Sequence, residues 1–302
     1  MRSLCVKTMA VVVSLLLAII GIVVIGCGKS VPKKAAAQST YEQPQTGRSV
    51  PEQPERALPP INAANPNRVV IANGEWDPYF SENLQHYGVV SRIVTEAFAI
   101  EGIEVEYVFR PWKRGMEEAK NGKWNGTMGW GKKPDRLEVF NYCDEPIMET
   151  ISTLFHRKDY PLNWDTLSDL KGLDISGTAG YFYGDAIEAA EKNGEVDISR
   201  GPADKLNFKK LSEGRTTVVI NDLDVGYALM RTELSPEQAS QITHHPTEVG
   251  SFPCYLLLAK DNAENKRLLE LFNKGLKKLQ QSGKVKQYWQ ESRRGDYVIK
   301  CR

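Results

Sequence analysis

From Arg68 onward, short β-branched runs take turns with segments whose apolar residues recur at helical spacing, and this alternation is the strongest constraint on the fold. Arg68 to Ala72 reads as a strand, Asn73 to Tyr79 as a turn, and Val90, Ile93, Val94, Ala97 and Phe98 as one face of a helix. Ile103, Val105, Tyr107 and Phe109 alternate as a strand should, Pro111 suits the first position of the next helix, and Gly122 suits its end. A further strand is expected near Gly126 to Gly129. The order recurs downstream: strand over Leu173 to Thr178, a Gly-rich turn, helix from about Gly184, strand over Thr216 to Asn221, and helix over Asp224 to Met230. Such alternation means an α/β fold. The last long segment carries Leu268, Leu269, Phe272, Leu276 and Leu279 on one helical face, which must pack against the body of the domain.

The residues before Arg68 carry none of this pattern. Arg2 and Lys7 precede an apolar run from Met9 to Gly26, the layout of an export signal. The run ends in Val24-Ile25-Gly26-Cys27, which resembles a bacterial lipobox, where the Cys is acylated and becomes the mature N-terminus. An uncleaved membrane anchor is the alternative reading, because the run approaches spanning length; both readings tether the folded domain to a membrane. Gly28 in place of Asp resembles outer-membrane sorting in a diderm cell. Between Gly28 and Asn67 fall seven of the sixteen prolines, with little apolar periodicity, so this stretch cannot bury enough surface to fold. In a polyproline II regime it reaches on the order of 100 Å, at about 3.1 Å per residue. The expected organisation is a signal peptide over 1–26, lipidated Cys27 and a disordered tether over 27–67, and one folded domain over 68–302, held at the periplasmic face of a bacterial membrane.

Composition excludes several classes. With 39 Lys+Arg against 38 Asp+Glu the chain has no sequence-wide basic footprint for nucleic acid, and five Cys in 302 residues cannot frame a disulfide-built miniprotein. Gly177, Gly180 and Gly184 lack the spacing of a dinucleotide fingerprint, no phosphate loop follows them, and no Gly-x-Ser-x-Gly elbow occurs, so no cofactor is expected. His244-His245 with Glu248 reads as a surface loop and not as a metal site.

A series of landmarks runs along the folded part in fixed order. They are Glu75-Trp76-Asp77-Pro78-Tyr79, Pro111-Trp112-Lys113-Arg114, Asn125-Gly126, Lys133-Pro134-Asp135-Arg136, then Tyr142 and Pro146. In the second half come Asp169-Leu170-Lys171-Gly172, Gly214-Arg215, Asn221-Asp222, and Asn273-Lys274-Gly275-Leu276 through Ser282-Gly283. Taken together, Val69 to about Trp289 resembles an extracellular solute-binding protein of family 3, the polar-amino-acid receptors of ABC importers. The resemblance implies the type II periplasmic-binding fold, with two α/β lobes joined by crossing strands near Ile147 to Phe155 and Pro253 to Lys260 and a ligand cleft between them. Lobe I would span about 68–148 plus 262–302, and lobe II about 149–261. It also implies a small-molecule solute, an inner-membrane permease and ATPase as partners, and a monomer.

On that alignment Arg136 matches the family's carboxylate-binding Arg, whose planar guanidinium meets a carboxylate through two parallel hydrogen bonds. Asp222 matches the acidic partner for an α-ammonium; taken alone it reads equally as a helix N-cap. The walls depart from the family. Met128-Gly129-Trp130-Gly131 supplies none of the usual hydroxyls, and Gly180-Tyr181-Phe182-Tyr183-Gly184 replaces a Gly-Thr-Thr type turn, which disfavours an ordinary α-amino acid. Trp76, Trp112 and Trp130, joined by Tyr79, Tyr181 and Phe182, fall near the cleft and suit a ring, an apolar chain or a cation. Cys143 and Cys254 flank the crossings and are the expected disulfide pair, with Cys301 left over.

The leading expectation is a tethered receptor that closes on a small polar solute, an amino acid or a related aromatic or cationic compound, and delivers it to an ABC-type permease. A ligand sensor without transport shares every binding residue. An enzyme on the same fold, like the cyclohexadienyl dehydratases among the family's relatives, needs a general acid or base, and only Glu75 and Asp77 beside Trp76 offer one. A lone acid in such a loop is more often a turn residue, so a non-enzyme is expected.

Overall fold

The structure is a computed structural model that describes residues 65–299; the signal segment, Cys27, the tether and Cys301 lie outside the described residues. β1 (Arg68–Asn73) is buried almost throughout, as a Val-Val-Ile-Ala run inside a parallel sheet must be. α1 (Val89–Ile100) separates it from β2 (Glu104–Phe109), which pairs parallel with it. α2 (Trp112–Lys120) starts directly after Pro111, and the chain turns beyond its end at Gly122, where φ is +76°. β3 (Gly126–Trp130) then pairs parallel with the other edge of β1.

α3 (Pro134–Val139) and β4 (Phe140–Tyr142) lead into β5 (Met148–Arg157). The alternation resumes with β6 (Ile175–Thr178), α4 (Asp185–Lys192), β7 (Ile198–Gly201), α5 (Asp204–Ser212), β8 (Val218–Asp222), α6 (Leu223–Glu233), α7 (Pro236–Ser240) and β9 (Ile242–His244). β10 (Gly250–Ala259), α8 (Glu264–Gln281) and α9 (Lys284–Arg294) complete the described chain.

Strand order among the described residues is β2-β1-β3-β10-β5-β8-β6-β7, with β4 added to β10 and β9 to β5. The two long strands hold the halves together. β10 runs antiparallel to β3 over Tyr255 to Leu258 and antiparallel to β5 over Gly250 to Cys254. β5 continues past that ladder to pair with β8 through Ser152 to His156. Two α/β lobes joined by two crossing strands, at Met148–Arg157 and Gly250–Ala259, are therefore present, within a few residues of the expected crossings.

Around the first sheet, α8 presents Leu268, Leu269, Phe272, Leu276 and Leu279 to the core, and the Phe98 and Phe272 rings meet at 4.9 Å where α8 packs on α1. The helices approach so closely at Gly275 that a Cβ there would lie 1.9 Å from the Ala97 carbonyl oxygen. A buried bracket fixes the end of this sheet: Asn125 accepts from the Val70 N–H at 2.9 Å, and Asn265 of α8 donates to the Asn125 and Ala259 carbonyls at 2.8 and 2.9 Å.

Two expectations meet a different arrangement. The Cys143–Cys254 bridge is not made, and both are buried free thiols. Register explains it: Tyr142 faces Leu257, so Cys143 donates its N–H to Leu256 at 3.0 Å, while Cys254 lies two residues earlier in β10, opposite Met148. Burial pushes the Cys143 thiol up to about 12. His244, expected in a surface loop, instead ends β9 opposite Phe155 and shares a 2.7 Å hydrogen bond with the Tyr227 hydroxyl.

Gly275→Ala tests the close helix approach. Ala is favoured over Gly in a helix by up to about 1 kcal/mol, whereas overpacking costs about 1–3 kcal/mol. The clash should win, lowering the thermal midpoint by roughly 2–4 °C per kcal/mol lost, as read by calorimetry or circular dichroism.

Candidate functional site

The loop after β1 closes on itself through Trp76 N–H to Phe80 O and Phe80 N–H to Trp76 O, at 2.6 and 2.9 Å. This buries Trp76, Tyr79 and Phe80 together. Gly74 is required beneath them, because a Cβ there would sit 2.2 Å from the indole of Trp112 at the start of α2. Trp76 and Trp112 meet edge-to-face at 6.5 Å, Trp112 and Trp130 at 5.5 Å, and the Arg136 guanidinium lies over Trp130 at 4.6 Å. At the other end Trp76 packs on Tyr79 at 5.1 Å. The first lobe thus aligns Arg136, Trp130, Trp112, Trp76 and Tyr79 in one continuous row.

Tyr79 ends that row on the second lobe. Its hydroxyl donates to Asp222 Oδ1 at 2.5 Å. Asp222 closes β8 and caps α6, accepting the N–H groups of Asp224 and Val225 at 3.1 and 3.0 Å, and its Oδ2 accepts from Ile151 at 3.2 Å. Burial pushes the carboxyl up to about 7, against the downward pull of these donors. In the Thr178–Gly184 turn, Tyr181 donates to Asp204 at 2.8 Å and the Tyr183 oxygen accepts the Thr178 N–H at 2.6 Å, so both hydroxyls are turned into the second lobe. Asp204 is buried and also accepts from Thr178 and Asn221, and its carboxyl is raised by desolvation.

Between the lobes lies a cavity of about 20 Å³, room for roughly one water. Trp76 walls it from the first lobe. Tyr181, Phe182, Tyr183, Asn221 and Asp222 wall it from the second, and Thr150, Ser152 and Phe252 from the crossing strands. Of the expected site residues, Trp76, Tyr181, Phe182 and Asp222 meet there. Trp112, Trp130 and Arg136 stand behind Trp76, and Arg136, 7 % exposed, donates to the Gly131 carbonyl at 3.1 Å. No Lys or Arg is among the described residues that line the cavity. Glu75 turns back to accept the Glu82 N–H at 2.9 Å, a loop-closing role.

Asp204, Asn221, Thr150, Ser152 and Phe252 were not singled out from sequence. Thr150 and Ser152 could have been found by the two-residue period of β5, which puts both on one face opposite the Phe252 register. A second tie crosses the lobes outside the cavity: Arg293 of α9 makes hydrogen bonds of 2.7 and 3.1 Å to Asp224 of α6. It borders an open groove of about 590 Å³ between β5 and α9, which holds none of the expected site residues. No helix among the described residues is long and apolar enough to cross a membrane.

No curated protein matches the sequence. Solved structures do. The YckB protein of Bacillus subtilis is 22% identical with a TM-score of 0.60, covering 78% of this chain and 95% of its own. The second substrate-binding domain of Lactococcus lactis GlnP, in an open conformation, is 18% identical with a TM-score of 0.58, covering 78% and 97%. The Streptococcus pneumoniae amino-acid ABC transporter substrate-binding protein AbpA, bound to L-arginine, is 17% identical with a TM-score of 0.55, again covering 78% and 97%. These likenesses show the type II periplasmic-binding fold. A family model matches residues 69–291, nearly all of the folded part, and the chain belongs to the bacterial extracellular solute-binding proteins, family 3.

Proposed function

We propose that this chain is a lipid-anchored receptor that closes on a small solute and hands it to an ABC-type permease. One observation carries the reading: Trp76 from one lobe and Tyr181, Phe182 and Asp222 from the other converge on a single cavity at the strand crossing, closed down to about 20 Å³. A cleft whose walls belong to different lobes couples ligand contact to lobe closure, because a ligand touching both stabilises the closed state alone. The proposed organisation places the signal at 1–26, the acylated Cys27 and tether at 27–67, and lobes at about 68–148 plus 262–302 and 149–261. Ligand contact is assigned to Trp76, Tyr181, Phe182 and Asp222, with Trp112, Trp130 and Arg136 as their support.

A receptor is favoured over an enzyme because Asp222 is the sole carboxylate on the wall among the described residues, and it is engaged by four donors. Acid–base turnover needs a group poised to exchange its proton with substrate.

The test is thermal unfolding of the full chain in detergent against amino acids, aromatic acids and amines. A saturable rise in midpoint with the solute recovered unchanged supports the receptor; conversion of the solute replaces it with the enzyme. Anchoring is tested separately, by growing producing cells with labelled fatty acid. Label should enter the wild-type chain and be lost in Cys27→Ser, while incorporation into that variant would refute the anchor.

Asp222 also sets a pH dependence. Its native pKa lies above the unfolded value of about 3.9, so its contribution to stability is full below about pH 4 and is lost as pH rises to about 7. Chemical denaturation across that window should show a falling arm that Asp222→Asn flattens, since Asn keeps the cap but cannot ionise.

A further inference from the structure

The cavity wall is made of rings, a few neutral donors and two strong acceptor groups. Trp76, Tyr181, Phe182 and Phe252 supply aromatic surface; the Trp76 Nε1–H and the Thr150 and Ser152 hydroxyls are neutral donors, and Asn221 and Asp222 supply the acceptors. Asn221 is 1 % exposed and its side-chain amide donates to Asp204 at 2.9 Å, which fixes the orientation of the group and leaves Oδ1 as a buried acceptor with no hydrogen-bond partner. Its sequence neighbour Asp222 carries three donors on Oδ1 and one on Oδ2. A carboxylate offers about four lone-pair sites, two on each oxygen, so acceptor capacity remains on Oδ2. A buried acceptor without a donor is costly, and the group that relieves it must bring an N–H or O–H donor.

The cationic side of the expected zwitterion grip is directed elsewhere. The Arg136 guanidinium faces the Trp130 ring and the Gly131 carbonyl, and Arg136 is not among the residues that line the cavity. A carboxylate placed between the lobes would meet Asp222 and ring faces, both repulsive to an anion, and would find neutral donors but no cation on the wall among the described residues. An ammonium would meet ring faces, a carboxylate and an amide oxygen, all attractive. The Tyr79 hydroxyl hydrogen, seated on Asp222 Oδ1, marks where a ligand N–H binds once the lobes part.

Building on the receptor reading, we infer that the solute is a small organic cation without a carboxylate, held by the aromatic wall with Asp222 and Asn221 as its polar partners.

The test compares amino acids with their decarboxylated forms on the full chain in detergent, by isothermal titration: L-arginine against agmatine and L-lysine against cadaverine, with choline as a cation that has no N–H. The amines should bind at least tenfold more tightly than the parent amino acids, about 1.4 kcal/mol. Asp222→Asn, which keeps the helix cap, should weaken the amine at least tenfold. Tighter binding of the amino acids, abolished by Arg136→Gln, overturns the inference and leaves a receptor with a zwitterion grip. Binding of aromatic acids alone overturns it in the same way. If no cation binds at about 1 mM the inference falls, and if every other solute also fails the receptor reading falls with it.

Discussion

A short antiparallel ladder, Met148 to Ser152 against Gly250 to Cys254, holds the two halves of the sheet together and sets the geometry of the site. Its register puts Thr150 opposite Phe252 and Ser152 opposite Gly250, while Ser152 also faces Asp222 across β5 and β8. A strand presents alternate residues to alternate faces, so a slip of one residue would turn Thr150 and Ser152 away from the cavity and carry Asp222 out of reach of Ile151. The aromatic wall, the cap of α6 and the two inter-lobe ties all depend on this pairing.

Those ties differ in kind. Arg293 is about half exposed, so its pair with Asp224 is screened by solvent and salt and is worth at most about 1 kcal/mol. The bond from Tyr79 to Asp222 is shielded, and a hydrogen bond to a charged group is worth about 1.5–3 kcal/mol. The buried contact is therefore the stronger of the two ties. Asp222 caps α6 and Asp224 sits in its first turn, where the helix dipole and free N–H groups favour negative charge. One helix terminus thus serves both ties.

Much of this was legible in the sequence, for local reasons. The Val69–Ala72 run, the helical face of Val90 to Phe98 and the leucine face of α8 write their own periodicities, and Gly122 marks the end of α2. Asp222 was readable both as a cap and as a cleft residue, and it occupies both positions. What sequence could not supply was pairing at distance. Tyr79 and Asp222 are 143 residues apart, and neither the direction of Arg136 onto Trp130 nor the offset of Cys143 from Cys254 follows from composition or spacing. His244 misled because a three-residue strand leaves too short a run to show alternation.

The row from Trp130 through Trp112 to Trp76 holds half of the chain's six tryptophans in successive edge-to-face contact, 5.5 and 6.5 Å between centres. Indoles that close and that fixed in mutual angle couple electronically, so the near-ultraviolet contribution of the row depends on the arrangement of all three rings. Only Trp76 borders the cavity. The row is therefore an intrinsic reporter anchored in one lobe, with its tip at the cavity.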